Sequence, residues 1–142
     1  TRDGYAAQNS TVIDDGILNT FLLSLYGSKK TGLKRSVNDG EAFVIEPGKT
    51  PFDDMVKSVE KGVLLTRFSG GTPADNGDFS GVAKNSYLIE NGKISYPITE
   101  AMISGNMADL LMDVTGVSSE RTDFGFSILP YVAASGVTVS GK

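Results

Sequence analysis

The chain has 142 residues, 39% of them hydrophobic and 21% charged, enough for one globular core and too few for two comfortable domains. Seventeen acidic against thirteen basic residues give a formal charge of -4, and the basic residues are dispersed apart from Lys29, Lys30, Lys34 and Arg35, which leaves little to drive nucleic-acid binding by counterion release. There is no cysteine and no histidine, so a disulfide framework, thiolate catalysis, Ser-His-Asp triads and the usual zinc sites cannot be assembled from this chain alone.

No apolar run approaches the roughly eighteen residues that cross a bilayer, and the start "TRDGYAAQNS" is not a signal peptide. Without an initiating Met, the chain is expected to be a mature or truncated piece of a longer protein. Turn signals recur at short intervals, so short strands fit between them better than long helices. Val12 to Asp14 and Ile17 to Leu25 flank the "DDG" turn as an expected hairpin, Tyr26 to Thr31 is expected to close into one helical turn, and Glu41 to Glu46 to form a brief strand.

Thr50 is expected to cap a helix of about ten residues: Pro51 suits the first helical position, Asp53 and Asp54 oppose the positive dipole end, and Gly62 supplies the stop. Phe52, Met55, Val56 and Val59 recur on one stripe, which predicts packing on a sheet. Val63 to Phe68 reads as a strand. After a glycine-rich loop over 69–77 comes the strongest local signal, Ser86 to Glu90, then Asn91-Gly92, then Lys93 to Tyr96, an alternating hairpin around a type I′ turn. Asn106 is expected to cap a second helix to about Val114, with Met107, Leu110, Leu111 and Val114 as its buried stripe and Gly116 ending it. Phe126 to Val132 and Gly136 to Val139 close the chain as two strands. These elements predict a single α+β domain over residues 1–142, rich in strand, with curved, barrel-like antiparallel sheets and two short covering helices.

"DNGDFSG" at 75–81 gathers Asp75, Asn76 and Asp78 near two glycines, but it lacks the alternate ligands and closing Glu of a calcium loop and reads as a polar turn. "GSKKTGL" at 27–33 lacks the order of a phosphate loop and reads as a solvated basic turn. "SGGTPADNG" at 69–77 is either a mobile connection or a place where a ligand backbone approaches closely, since glycine has no Cβ. Ser69, Thr72 and Ser80 have no base to activate them, and nothing in the spacing supports Lys84 in that role. The chain alone is therefore expected to be non-catalytic, and its methionines and tyrosines read as core and sheet cover.

Four stretches occur together in one order: "DDGILNTFLLSLYGSKKTGLK" at 14–34, "PGKTPFDDMVKSVEKGVLLTRFSGG" at 47–71, "NGDFSGVAKNSYLIENGKISYPITEAMISGNMADLL" at 76–111 and "FGFSILPYV" at 124–132. In order and spacing they resemble the C-terminal region of the TldD/PmbA family. That resemblance implies a cytoplasmic metallopeptidase complex acting on peptides, including peptide maturation, in a family that also bears the label modulator of DNA gyrase. It implies further that a helix with a His-Glu-x-x-x-His motif lies upstream of this region in the catalytic branch, and that a cysteine near "DFGF" completes the metal site. Phe124 stands near that position here, between Asp123 and Gly125, so no metal ligand can be carried over to this chain.

The departure is what the PmbA (TldE) branch implies, in which a subunit without metal pairs with a TldD-like catalytic subunit that holds zinc or iron. Ser69, Gly70, Gly71, Asn76, Asp78 and Ser80 are then the expected peptide contacts, because an exposed strand edge can pair with a substrate backbone. Valine at Gly70 and Gly71 is expected to impair processing without harming the fold. The competing expectation is a non-proteolytic interaction module. Cut from a longer chain, the segment is expected to expose sheet edges through which a homo-oligomer could form, with no nucleic-acid or membrane partner.

Overall fold

The computed structural model describes residues 1–141, which divide into two compact units. The first comprises Thr1–Val44 with Phe124–Ser127, the second Ile45–Asp123 with residues 128–141. Among the described residues there are three short helices and eleven strands in four antiparallel sheets, an α+β architecture whose sheets stay open and do not close into a barrel. No described helix is long and apolar enough to cross a membrane.

In the first unit the expected hairpin shrinks to β1 (Ile13–Asp14) and β2 (Ile17–Leu18), turned by Asp15 and Gly16 at positive φ. The expected single turn is a helix, α1 (Leu25–Thr31): Ser24 Oγ accepts from the Gly27 amide, and left-handed Gly32 ends it. Residues 41–46 form no strand, and no hydrophobic side chain of this unit is buried. Two buried serines tie its loops: Ser36 Oγ accepts from the Asn38 amide and Ser127 Oγ from the Phe43 amide.

The second unit is organised by one long meander. Strands β3 (Lys61–Leu64) and β4 (Arg67–Gly70) run antiparallel to β6 (Ser86–Glu90) and β5 (Asp78–Lys84). Lys61 faces Glu90, Leu64 faces Tyr87, Arg67 faces Lys84 and Gly70 faces Gly81, so the register passes from one sheet into the other without a slip. The same holds on the other flank, where β7 (Lys93–Ile98) and β8 (Met102–Asn106) pair with β6 and β5: Ser86 faces Ile98, Val82 faces Met102, and the Ala83 amide donates to Ala101 between them. Three continuous strands are thus bent along one line through Thr66, Asn85 and Glu100.

At that line the ladder bonds are replaced by side-chain hydroxyls. Ser86, fully buried, donates from Oγ to the Lys84 carbonyl (2.9 Å) and accepts from the Thr66 amide (3.3 Å), while the Thr66 hydroxyl donates to the Asn85 carbonyl. Asn85 and Glu100 take positive φ of 51° and 58° to make the bend. Inside it sits the core of Ala83, Ala101 and Ile103, flanked by Phe79, Ile98 and Val137. The β6–β7 turn is the expected type I′, with Asn91 and Gly92 both at positive φ. One extra residue in β7, at Ser95–Tyr96 opposite Leu88, shifts its alternation against β6, where Ile89 is buried and Tyr87 exposed.

The helix expected from Thr50 is six residues, α2 (Phe52–Lys57), and neither Thr50 nor Pro51 caps it by side chain. Glu120 does so instead, its Oε2 accepting from the Phe52 amide at 2.9 Å. Gly62 is not the stop but lies inside β3, and only Met55 and Val56 of the stripe are buried. Glu120 belongs to β9 (Val114–Asp123), the longest strand and one absent from the sequence expectation. It pairs with β10 (Ile128–Ala134), while β11 (Thr138–Ser140) adds to β8. The last helix, α3 (Met107–Met112), ends at Asp113 and buries none of its residues: Met107, Leu111, Met112 and Val114 are all exposed. Of its expected stripe Leu110 is half-buried, while Met107, Leu111 and Val114 stay exposed.

Two stability outcomes follow from the bend. Ser86→Ala, which leaves the partly buried Thr66 amide and Lys84 carbonyl without this hydroxyl, should cost about 1 kcal/mol in urea unfolding. Glu100→Gly should raise stability by about 1 kcal/mol in the same measurement, since glycine takes the left-handed conformation without the penalty a side chain carries.

Candidate functional site

The four-stranded sheet has the order β11-β8-β5-β4, so among the described residues β4 is a free edge and the chain leaves it directly into residues 71–77. Cross-strand pairing sets which candidates share a face. Ser69 aligns with Val82 and Met102, Ser80 with Ser104 and Thr138, and Asp78 with Asn106, so one face carries these hydroxyl, carboxylate and carboxamide groups alongside Val82 and Met102. Gly70 aligns with Gly81 on the opposite face, where Phe68 and Phe79 meet edge to face with centroids 6.0 Å apart.

Gly70 and Gly71, adjacent in sequence, have different surroundings. A Cβ at Gly70 would lie 2.5 Å from the Phe68 ring and 2.7 Å from the Ser80 carbonyl, and one at Gly81 would also strike that ring at 2.5 Å. The two glycines are the space into which Phe68 folds, so valine at Gly70 disturbs the sheet, contrary to the expectation that it would be harmless. A Cβ at Gly71 would meet nothing within 4 Å. Ser69 and Gly70, expected in a loop, are strand residues of β4, and the loop proper is 71–77.

That loop is fixed at its base by three polar side chains. Asn76 donates from Nδ2 to Asp78 Oδ2 (2.7 Å) while its Oδ1 accepts from the Asp78 amide (3.1 Å). Asn106 donates from Nδ2 to both Asp78 Oδ1 and the Asn76 carbonyl (2.9 Å each), and its Oδ1 caps α3 through the Ala108 amide (2.9 Å). Backbone bonds from Ala74 to Asp78, from Gly77 to Ala74 and from Met107 to Gly77 complete the turn. Asn106 was legible only as a helix cap. Its grip on the loop is set by the register that brings it opposite Asp78.

The clamp settles the chemistry of Asp78. Its carboxylate receives two amide donors, Asn106 foremost and then Asn76, which hold its pKa below the ordinary aspartate value. Donors rather than oxygens converge there, so the arrangement is a polar turn and not a cation loop. Among the described residues no three acidic, histidine or cysteine side chains come together as a metal would require. Phe124 sits at the tip joining β9 to β10, its amide donating to the Ser127 carbonyl at 2.9 Å, with its ring exposed. An aromatic ring offers no donor atom, and the tip does not fit a zinc or iron centre. Lys84 and Ser80 are four residues apart on an extended strand, about 13 Å, beyond hydrogen-bond reach.

Glu120 is held below the ordinary glutamate value, chiefly by the Phe52 amide. For both carboxylates the folded-state pKa lies under the unfolded one. Their contribution to stability is therefore complete above the unfolded value and disappears as pH falls through the depressed folded value. Thermal midpoints of the wild type should drop across that acid window, and Asp78→Asn with Glu120→Gln should flatten the dependence while lowering the neutral-pH midpoint.

A family model described as PmbA/TldA metallopeptidase C-terminal domain matches residues 1–141. A metalloprotease PmbA homolog of Buchnera aphidicola is 33% identical over 121 residues, covering 83% of this chain and 27% of the relative. Among solved structures, one from Bacteroides thetaiotaomicron described as a modulator of DNA gyrase superposes with a TM-score of 0.82 at 30% identity, over 96% of this chain and 31% of that one. TldE from Thermococcus kodakarensis gives a TM-score of 0.78 at 25% identity, over 95% and 34%. The chain thus spans about a third or less of the length of these relatives. It belongs to the PmbA/TldD family, as a C-terminal domain of that family.

Proposed function

We propose that this domain is the C-terminal part of a PmbA/TldE-type subunit, without metal ligands of its own, in a cytoplasmic complex whose TldD-like partner holds the zinc or iron and degrades or matures peptides. The observation that carries the proposal is the free edge of β4 beside the clamped loop 71–77, in a chain with no histidine, no cysteine and no metal-ligand cluster among its described residues. An edge strand presents unpaired N–H and C=O groups, and an extended peptide can complete them whatever its side chains, which suits an enzyme that takes many substrates.

Ser69 and Gly70 supply the edge, Gly71 the unobstructed approach, and Ser80 a hydroxyl on the polar face. Asn76 and Asp78 act one step back, keeping the loop clear of the edge through Asn106. The lack of cysteine accords with a reducing compartment. A second reading, an interaction module without a proteolytic role, is favoured by the gyrase-modulator description of the Bacteroides relative.

A peptidase assay on an unstructured peptide, with zinc or iron supplied, should show activity when the parent subunit is mixed with a TldD-like subunit and none from the parent alone. Gly71→Val in the mixture should lower turnover roughly tenfold, the loss of one or two backbone pairs at about 1 kcal/mol each, with an unchanged melting temperature. Activity from the parent alone, or a stable gyrase complex formed without the TldD-like subunit and no effect on proteolysis, would overturn the assignment.

A further inference from the structure

The exposed side chains of α3 adjoin the base of loop 71–77, the segment that leaves the proposed peptide edge. Asn106 caps α3 and grips Asn76 and Asp78, and the Met107 amide donates to the Gly77 carbonyl at 2.9 Å, so helix and loop form one continuous surface at this end of the sheet. A six-residue helix has no independent stability, and this one holds Leu111 at 58% and Met112 at 86% exposure, with Met107 beside them. Exposed thioethers and a leucine form a pliable apolar surface that can receive differently shaped side chains.

The charge around it has one sign. From Phe68 to Ala83 and from Ile94 to Glu120 there is no lysine or arginine, while Asp75, Asp109 and Asp113 are all exposed on the loop and on or just after α3. A backbone-pairing edge flanked by an apolar patch and uncompensated carboxylates is complementary to a particular kind of chain. We propose that this end of the sheet seats extended peptide segments carrying both apolar and basic side chains, the apolar ones on Met107, Leu111 and Met112 and the basic ones beside Asp75, Asp109 and Asp113. The inference rests on the peptide-binding reading of the β4 edge and names the substrate class for it.

Fluorescence anisotropy with three labelled, unstructured Gly-Ser peptides of equal length, bearing Leu and Lys, Leu and Glu, or Lys alone, tests it. The Leu-Lys peptide should bind about tenfold tighter than either other, with an affinity that weakens as salt rises. Leu111→Ser with Met112→Ser should remove the advantage of leucine. Asp75→Asn with Asp113→Asn should remove that of lysine and the salt dependence. All four side chains are exposed, so a matching thermal melt verifies that the variants are folded. Equal affinity for all three peptides, with binding still lost in Gly71→Val, would sink this inference and leave the edge reading standing. No binding of any peptide would sink both. A concentration-dependent dimer that disappears on Leu111→Ser would assign the face to a second copy of the chain and overturn the proposal.

Discussion

The second unit depends on one bend. Three strands that keep their register through the bend must turn together, and at the turn their amides and carbonyls lose their ladder partners. The buried Ser86 and the exposed Thr66 place hydroxyls where the ladder fails and give the Thr66 amide and the Lys84 and Asn85 carbonyls their partners. Ala83 and Ala101 sit just inside, small enough for the two halves of the strands to close over Ile103. A larger residue at either alanine would hold the bend open.

The same solution recurs where β9 and β10 lose register. Ser118, also fully buried, donates to the Glu120 carbonyl and accepts from the Tyr131 amide at the irregularity between Pro130 and Val132. The side chain of Glu120 then reaches α2. A strand irregularity, a buried serine and a helix cap are thereby linked, and α2 rests on this hairpin with Phe52 and Tyr131 ring centroids 4.3 Å apart. The two fully buried side chains in the described structure are both serines, a sign that strand geometry as much as apolar bulk directs this fold.

What could be read from the sequence was what short-range chemistry decides. Asn91-Gly92 specified its turn because both conformational demands fall on those two residues, and β10 was visible in its apolar run. Val114 to Asp123 was missed because a strand reading "VTGVSSERTD" has no alternation and little apolar content; it is held by pairing and by Ser118. The stripe of α3 had the right period, but periodicity does not say what will cover a face. Glu120 as the cap of α2 and Asn106 as the clamp on Asp78 act across 68 and 28 residues, distances at which only the settled register decides who meets whom. The end of β4 falls near the expected glycine-rich loop, because glycines and turn residues mark where a sheet stops, whereas the different surroundings of Gly70 and Gly71 depend on where Phe68 folds.

The sequential pairing of the bent meander bears on how the polypeptide reaches its native state. Within residues 61–106 the three bent strands pair in chain order, β3 and β4 with β6 and β5, then β6 and β5 with β7 and β8, so the loops that must close are short and their closure entropy is small. β11 returns to β8 across more than thirty residues and α2 waits for β9 to supply its cap, so both are late arrivals by the same reasoning. The meander is the natural folding nucleus of the unit. It would emerge complete from a ribosome while the chain that finishes the four-stranded sheet is still being made, with the outer edge of β8 unoccupied for that interval.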